Sequence, residues 1–398
     1  MKHLRLISVA IAVIISLVFL WTCKTKRAAT VITIGSILPL TGDNASFGVG
    51  MRNSLELAVD KANRSSEFGK YQLRLVQLDD SSDPATAAKA ARQLCQDSSV
   101  VVVTAHWNSP CALATSSIFG DCHLVNLVAG AVNSRITEDR KQNRGNIFRI
   151  VPHDKEQGRY AALFAVHQKG WKRIFIVDDQ TDYGKDLGDI FGSEARSRGA
   201  EIIGREGVTV GTTEFRPLLE KIMRANPDVL YFGGVVTEAS RLRLQMSELK
   251  SQYPLLTGSG AVSGAFFDVA GESSGGTYAT FEGRPVDAYP GGKDFLKAYS
   301  RRGFKAPYEA YGIYAYANGQ VLTEAVKRAL AKDPFNRSLR GGVLDELKGG
   351  TFDTVLGPIV FGQTGQSRWV DMAVYEARGR KWAPIFVTDE SGNLMALN

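Results

Sequence analysis

A serine that closes one apolar run and opens the next helical pattern is the first chemical signal in this 398-residue chain. The segment Thr104-Ala-His-Trp-Asn-Ser-Pro110 leaves four consecutive valines and enters a helix-forming stretch. At such a junction Ser109 can offer its hydroxyl and backbone N–H to an anion, aided by the partial positive charge of a helix start. The same serine also reads as an ordinary N-cap. A second serine signal is Gly271-Glu-Ser-Ser-Gly275, which fits G-x-S-x-G. A nucleophile elbow needs a strand before the serine and a helix after it. Here the pattern predicts a helix at 265–270 and a strand at 277–281, the reverse order. No histidine follows, the last being His167. A serine hydrolase is therefore the weaker reading, and no catalytic residue is assigned. Cofactor motifs are incomplete: Gly258-x-Gly260 stops short, and Gly48-x-Gly50 has Asn53 where the third glycine belongs. Four cysteines without Cys-x-x-Cys and five scattered histidines give no metal-ligand spacing.

The elements that must position such residues alternate. Strand patterns at 31–38, 71–78, 100–104, 124–128 and 147–151 are separated by helical patterns at 48–63, 84–96 and 110–119. Asp83 before Pro84 is an N-cap followed by a proline at the first helical position. The cycle restarts with helices at 160–168, 183–198, 215–225 and 238–250 between strands at 173–177, 200–207, 229–233 and 254–258. Repeated β-α-β of this kind predicts parallel sheets covered by helices on both faces. One long helix is expected at 309–331, with mixed strand and loop elsewhere. Two similar α/β lobes suit a ligand clamp with a cleft between them. No internal sequence repeat is evident.

A hydrophobic fraction of 44% and a charged fraction of 22% are those of a globular protein, and 398 residues suit two domains. The net charge of +7 is concentrated at the start. Residues 1–28 hold five basic side chains and no acid, and without them the basic surplus falls to two. A nucleic-acid partner is not indicated. Lys2 and Arg5 precede an uncharged apolar run from Leu6 to Trp21, shorter than the roughly 20 residues of a comfortable span. This is the layout of a secretory signal. Leu20-Trp21-Thr22-Cys23 resembles a lipobox in which Cys23 would be lipidated, although Trp21 and Thr22 depart from its small residues. Cleavage near Ala28-Ala29 and an uncleaved anchor are the alternatives. All three place the folded part in the periplasm or elsewhere outside the cytoplasm. An oxidising compartment permits one disulfide among Cys95, Cys111 and Cys122. Cys95 with Cys122 is one candidate pair, and three buried thiols the other reading.

Three segments carry a family resemblance. They are Ile34-Gly-Ser-Ile-Leu-Pro-Leu-Thr-Gly42 with Phe47-Gly48; Leu75-Val-Gln-Leu-Asp-Asp-Ser-Ser-Asp-Pro84; and Ile176-Val-Asp-Asp-Gln-Thr-Asp-Tyr-Gly184. Tyr231-Phe-Gly-Gly234, Val269-Ala-Gly-Glu272 and Val355-Leu-Gly-Pro358 echo it more weakly. In this order, over about residues 31–370, they resemble the branched-chain amino-acid-binding family of periplasmic proteins, solute receptors of ABC importers with the type I periplasmic binding fold. The resemblance implies two Rossmann-like lobes joined by a three-crossing hinge. Lobe 1 would comprise 30–152 and 283–361, and lobe 2 would comprise 153–282 and 362–398. It implies binding without catalysis, a membrane permease as partner, a monomer, no cofactor, and no metal. A ligand-sensing lobe of a receptor system is the alternative.

Carried over residue by residue, the resemblance implies a ligand carboxylate at Ser109 and aromatic contacts from Trp107, Phe47 and Tyr183. It implies backbone contacts from Ala129 and Ala131, where small residues admit close approach. Ala131 stands where the family has a threonine, so Asn133 and Ser134 become candidates for the missing hydroxyl. Ser259 stands at the family's ammonium-binding glutamate. A buried ammonium needs a carboxylate. Either Asp154 or Glu238 then takes that role, or the ligand is an amide or carboxylate without an ammonium.

Overall fold

The computed structural model describes residues 30–333 and 339–397. The leader and Cys23 lie outside them. The first lobe is a five-stranded parallel sheet in the order β2-β1-β3-β4-β5, made of β1 (Thr30–Leu38), β2 (Tyr71–Asp79), β3 (Val100–Ala105), β4 (Val125–Val128) and β5 (Ile147–Arg149). All six residues of β3 are buried, as its apolar run demands. Val102 and Val103 belong to core clusters on opposite faces of the sheet. One face is covered by helices Ala45–Arg64 and Gly312–Lys332, which run against each other. Asn318 pins the latter to the sheet through Thr104 Oγ1 at 3.1 Å and the Val128 carbonyl at 3.0 Å.

Helices Pro84–Gln96 and Ser109–Asp121 pack together. Asp83 caps the first by accepting from the Thr86 N–H at 2.7 Å. Their far ends are joined by a Cys95–Cys122 disulfide with Cα atoms 5.8 Å apart. Cys111 is free and buried, and burial pushes its thiol up, away from the reactive thiolate form.

The second sheet repeats the first arrangement. Its strands β6 (Arg173–Asp178), β7 (Glu201–Gly207), β8 (Val229–Gly233), β9 (Leu255–Thr257) and β10 (Thr277–Glu282) lie in the order β7-β6-β8-β9-β10, all parallel. Beyond β10 the expected parallel pattern gives way to three antiparallel strands, β13 (Met372–Arg378), β14 (Lys381–Thr388) and β15 (Leu394–Ala396). Gly379 and Arg380, both at positive φ, make the two-residue hairpin that joins β13 to β14. β11 (Thr351–Thr354) and β12 (Gly357–Val360) form a separate hairpin.

Three differences from the sequence reading stand out. The long helix starts at Gly312 rather than 309. Helices Gly292–Arg302 and Leu339–Gly349 occupy what read as loop and strand. The helix expected from residue 160 begins at Asp154, a favourable place for an acid beside free N–H groups. The chain passes between the two sheets' layers three times, after β5, after β10 and before β13. The first and third passages are stitched together. The Arg149 N–H donates to the Gly365 carbonyl at 2.9 Å, and the Ser367 N–H to the Arg149 carbonyl at 2.8 Å.

Candidate functional site

Each sheet reverses its strand order between its first and third strands, and crevices form at the carboxyl ends of strands on either side of such a point. The two crevices face each other across a cavity of about 610 Å³, counting its open mouth. Segments after β3 and β4 supply Trp107, Ser109 and Gly130. Segments after β6 and β9 supply Asp179, Tyr183 and Ser259.

Ser109 is the first residue of its helix and is buried. Its Oγ accepts the Asn133 N–H at 3.2 Å, so its own proton remains available to an anion. The neighbouring Asn108 Oδ1 is buried without a partner, as is Asn44 Oδ1, and both residues line the cavity. Trp107 stacks on Phe47 at 4.3 Å and meets Tyr311 edge-on at 6.1 Å. Phe47 is fully buried behind this wall rather than in it. Ala129 and Ala131 are also set back. Their N–H groups donate to the Ala105 and His106 carbonyls at 3.3 and 3.1 Å. Gly130 between them forms the surface instead, because a Cβ there would lie 2.8 Å from the Trp107 ring.

Tyr183 is the second residue of helix Asp182–Ser197, whose start is fixed by Thr181 accepting the Gly184 N–H at 3.1 Å. Gly184 admits no side chain, since a Cβ would sit 2.2 Å from Asp179 Oδ1. The Tyr183 hydroxyl donates to Gln157 Oε1 at 3.2 Å and accepts the Gly260 N–H at 3.2 Å. Tyr311, just before helix Gly312–Lys332, was not singled out in the sequence. Its hydroxyl crosses the cleft to Ser259 Oγ at 2.8 Å.

The acids are arranged differently from the expectation. Asp154 does not line the cavity: its Oδ1 accepts the Ser134 N–H at 3.1 Å and it lies in the field of Arg149. Glu238 does not line it either, and accepts the Gly211 N–H at 2.8 Å. Asn133 is used between lobes, its amide donating to the Asp182 carbonyl at 2.9 Å and to Asp186 at 2.8 Å. The acid that does line the cavity is Asp179, 2% exposed. Thr181 holds its Oδ1 through N–H and hydroxyl at 3.0 and 2.6 Å. Burial above all, with the charges of Glu238 and Asp178, pushes its carboxyl up to about 6. No lysine or arginine lines this cavity. A signal was present in the sequence, since Asp179 lies inside the third family-like segment. It was masked by Asp178 beside it, which turns the other way to Arg205 at 2.9 Å.

Behind Ser259 lies a second unanticipated acid, Glu282, at the end of β10 and fully buried. Gln157 donates to its Oε1, Ser259 Oγ lies 3.2 Å away, and the Tyr311 hydroxyl is 3.3 Å from its other oxygen. Burial pushes this carboxyl up from 4.5 to about 7. An acid raised in the fold favours its protonated form there. Its stabilising effect is complete below about 4.5 and is lost as pH rises through about 7. Asp154 and Asp179, raised only to about 6, complete their loss earlier. Glu282→Gln should therefore flatten stability between pH 6 and 7, where wild type still loses up to about 1.4 kcal/mol per pH unit. Urea unfolding across that interval measures it, and equal slopes for the two proteins would refute the assignment.

Among the described residues no group of three or more His, Cys, Asp or Glu side chains could hold a metal ion, and no helix is long and apolar enough to cross a membrane.

Comparison with known proteins gives a consistent picture. Residues 31–381 match the family profile described as periplasmic binding protein. The chain is 31% identical over 350 residues to Leu/Ile/Val-binding protein homolog 2 of Brucella abortus, covering 87% of this chain and 90% of that one. Its fold matches a leucine-binding protein from Thermotoga maritima at TM-score 0.81 and 24% identity, over 90% of this chain and 99% of the other. It also matches an ABC transporter solute-binding protein from R. palustris in complex with benzoate at TM-score 0.79 and 20% identity, over 92% and 98%.

Proposed function

The chain belongs to the periplasmic binding protein family, whose members bind solutes outside the cytoplasm and work with a membrane permease, and from that premise we propose that its solute is an amino acid with an apolar or aromatic side chain. The observation that carries the proposal is a cavity with opposite polar ends and no basic side chain. On one wall the Ser109 hydroxyl and its helix start suit a carboxylate. On the other, Asp179 is a buried acid in need of a cation. Trp107, Tyr183 and Tyr311 supply apolar walls. Benzoate, which the R. palustris protein holds, would meet Asp179 without a counter-charge.

On this reading lobe 1 (30–152 and 283–361) receives the solute and lobe 2 (153–282 and 362–398) closes by hinge rotation, contributing Asp179 and Tyr183. Only contacts unique to the closed form favour closure. The closed monomer then docks on an ABC permease, and no bond is made or broken. Cys23 would tether it if lipidated.

A thermal-shift screen tests the solute class. Leucine, phenylalanine and related amino acids should raise the melting temperature, since a ligand at one hundred times its Kd adds about 2.7 kcal/mol. Their des-amino counterparts, 4-methylpentanoate and 3-phenylpropanoate, should not. Stabilisation by the des-amino acids alone would overturn the proposal.

A further inference from the structure

A second crevice separates the lobes away from the solute cavity. It has about 1180 Å³ of empty space, counting its mouth. Lobe 2 contributes Phe281 from β10, Tyr375 from β13 and Trp382 from β14. The opposite side is the loop 284–287 and the loop 307–310 that leads into helix Gly312–Lys332, with Asp287, Tyr308 and Glu309. Four aromatic rings and two acids therefore share one space.

The charge balance of that space is negative. Its one basic residue, Arg284, is engaged by Asp371 at 2.9 Å and the Thr388 carbonyl at 3.3 Å. Asp287 and Glu309 have no ion-pair partner among the described residues. Both bear on one ring: burial first, then the charges of Asp287 and Glu309, raise the Tyr308 phenol. Glu309 faces Ser263 and Gly264 across the lobe boundary, and burial raises its carboxyl. The Trp382 N–H is already used on the Ser263 carbonyl at 3.1 Å, so its indole offers the crevice only ring surface.

We propose that this crevice is a second binding site, for a small organic cation with apolar flanks such as a quaternary ammonium. Aromatic rings attract such a cation by their quadrupole, and its methyl groups bury against them while two carboxylates balance its charge. An inorganic cation would leave the rings unused, and a neutral apolar molecule would leave the carboxylates unpaired. The site spans both lobes, so its occupant biases the hinge toward the arrangement in which both walls contact it. It is also joined to the solute cavity, because Phe281 lies 5.3 Å from the Tyr311 ring that lines the latter. By linkage, each ligand then changes the affinity for the other by the same factor.

Choline and its uncharged isostere 3,3-dimethyl-1-butanol are the test pair, titrated by calorimetry against the whole protein. Choline is expected to bind, and the isostere at least about tenfold more weakly. Asp287→Asn/Glu309→Gln should weaken choline by about tenfold or more, with circular dichroism and melting temperature checking that the variant is folded. Trp382→Phe should weaken it less. Ser109→Ala, altered in the solute cavity alone, should leave choline affinity unchanged. Failure of choline to bind at ~10 mM, equal binding of the isostere, or loss of binding in Ser109→Ala with retention in the acid variant would each overturn the proposal.

Discussion

Asp179→Asn is expected to weaken amino-acid binding by roughly a hundredfold or more while making the solute-free protein more stable at neutral pH. The substitution keeps shape. Thr181 can still donate to the retained Oδ1, which it holds at 3.0 and 2.6 Å. Gly184 still leaves room. What disappears is the charge. In the free protein that charge is unfavourable, since burial raises the carboxyl to about 6 and near-neutral pH forces it to ionise in place. With a bound ammonium the same charge is needed, and an unpaired buried cation costs about 3–5 kcal/mol. The two effects have opposite signs, which a general loss of structure would not produce. Calorimetry for affinity and thermal melts for stability give both readouts. Unchanged affinity would remove Asp179 from the site.

Arg149→Met is expected to destabilise the protein by about 3–5 kcal/mol, the cost of breaking a buried ionic network by removing one partner. Arg149 has no exposed surface. Its Nε donates to Gln366 Oε1 at 2.7 Å, Nη1 to the Ala131 and Asn133 carbonyls at 3.1 and 2.8 Å, and Nη2 to Thr137 Oγ1 at 3.3 Å. Gln366 answers by donating to the Val151 carbonyl at 3.0 Å. Burial lowers the guanidinium only to about 10, so it stays charged at neutral pH and offsets the buried Asp154. One side chain therefore ties the first interlobe passage to the third and shapes the 129–134 segment that carries Gly130 and Val132 at the cavity. Methionine fills the volume, leaves the Ala131 and Asn133 carbonyls without their donor and removes the positive charge that offsets Asp154. Arg149→Lys keeps the charge but not the planar fork, and should recover part of the loss. Guanidinium titration measures both, and a midpoint shift worth less than about 1 kcal/mol for Arg149→Met would refute the role.

The sequence already spelled out what local physics controls. Asp83-Pro84 capped its helix because an acid and a proline suit the free N–H groups there. The valine run of β3 meant burial on both faces. Ser109 could be placed at a helix start beside a strand end from spacing alone. Tyr183 lies in a family-like segment, Trp107 and Ser259 were carried over from the family resemblance, and the structure brings all four to one cavity. The acids could not be ranked this way. Asp154, Glu238, Asp178, Asp179 and Glu282 are all carboxylates near element ends, and which of them faces the cleft depends on groups distant in the chain.

What composition, periodicity and short segments determined was an α/β chain of two similar halves with a serine at a strand-to-helix turn, because those features arise within a dozen residues. Only the tertiary structure decided that both sheets share one strand order, that Asp179 rather than Asp154 reaches the cavity, and that Tyr311 and Glu282 close it from behind. Those outcomes rest on contacts such as Tyr311 to Ser259, 52 residues apart, and Arg149 to Gln366, 217 apart. Direction and burial at such separations are set by how the sheets stack, and no local pattern encodes that.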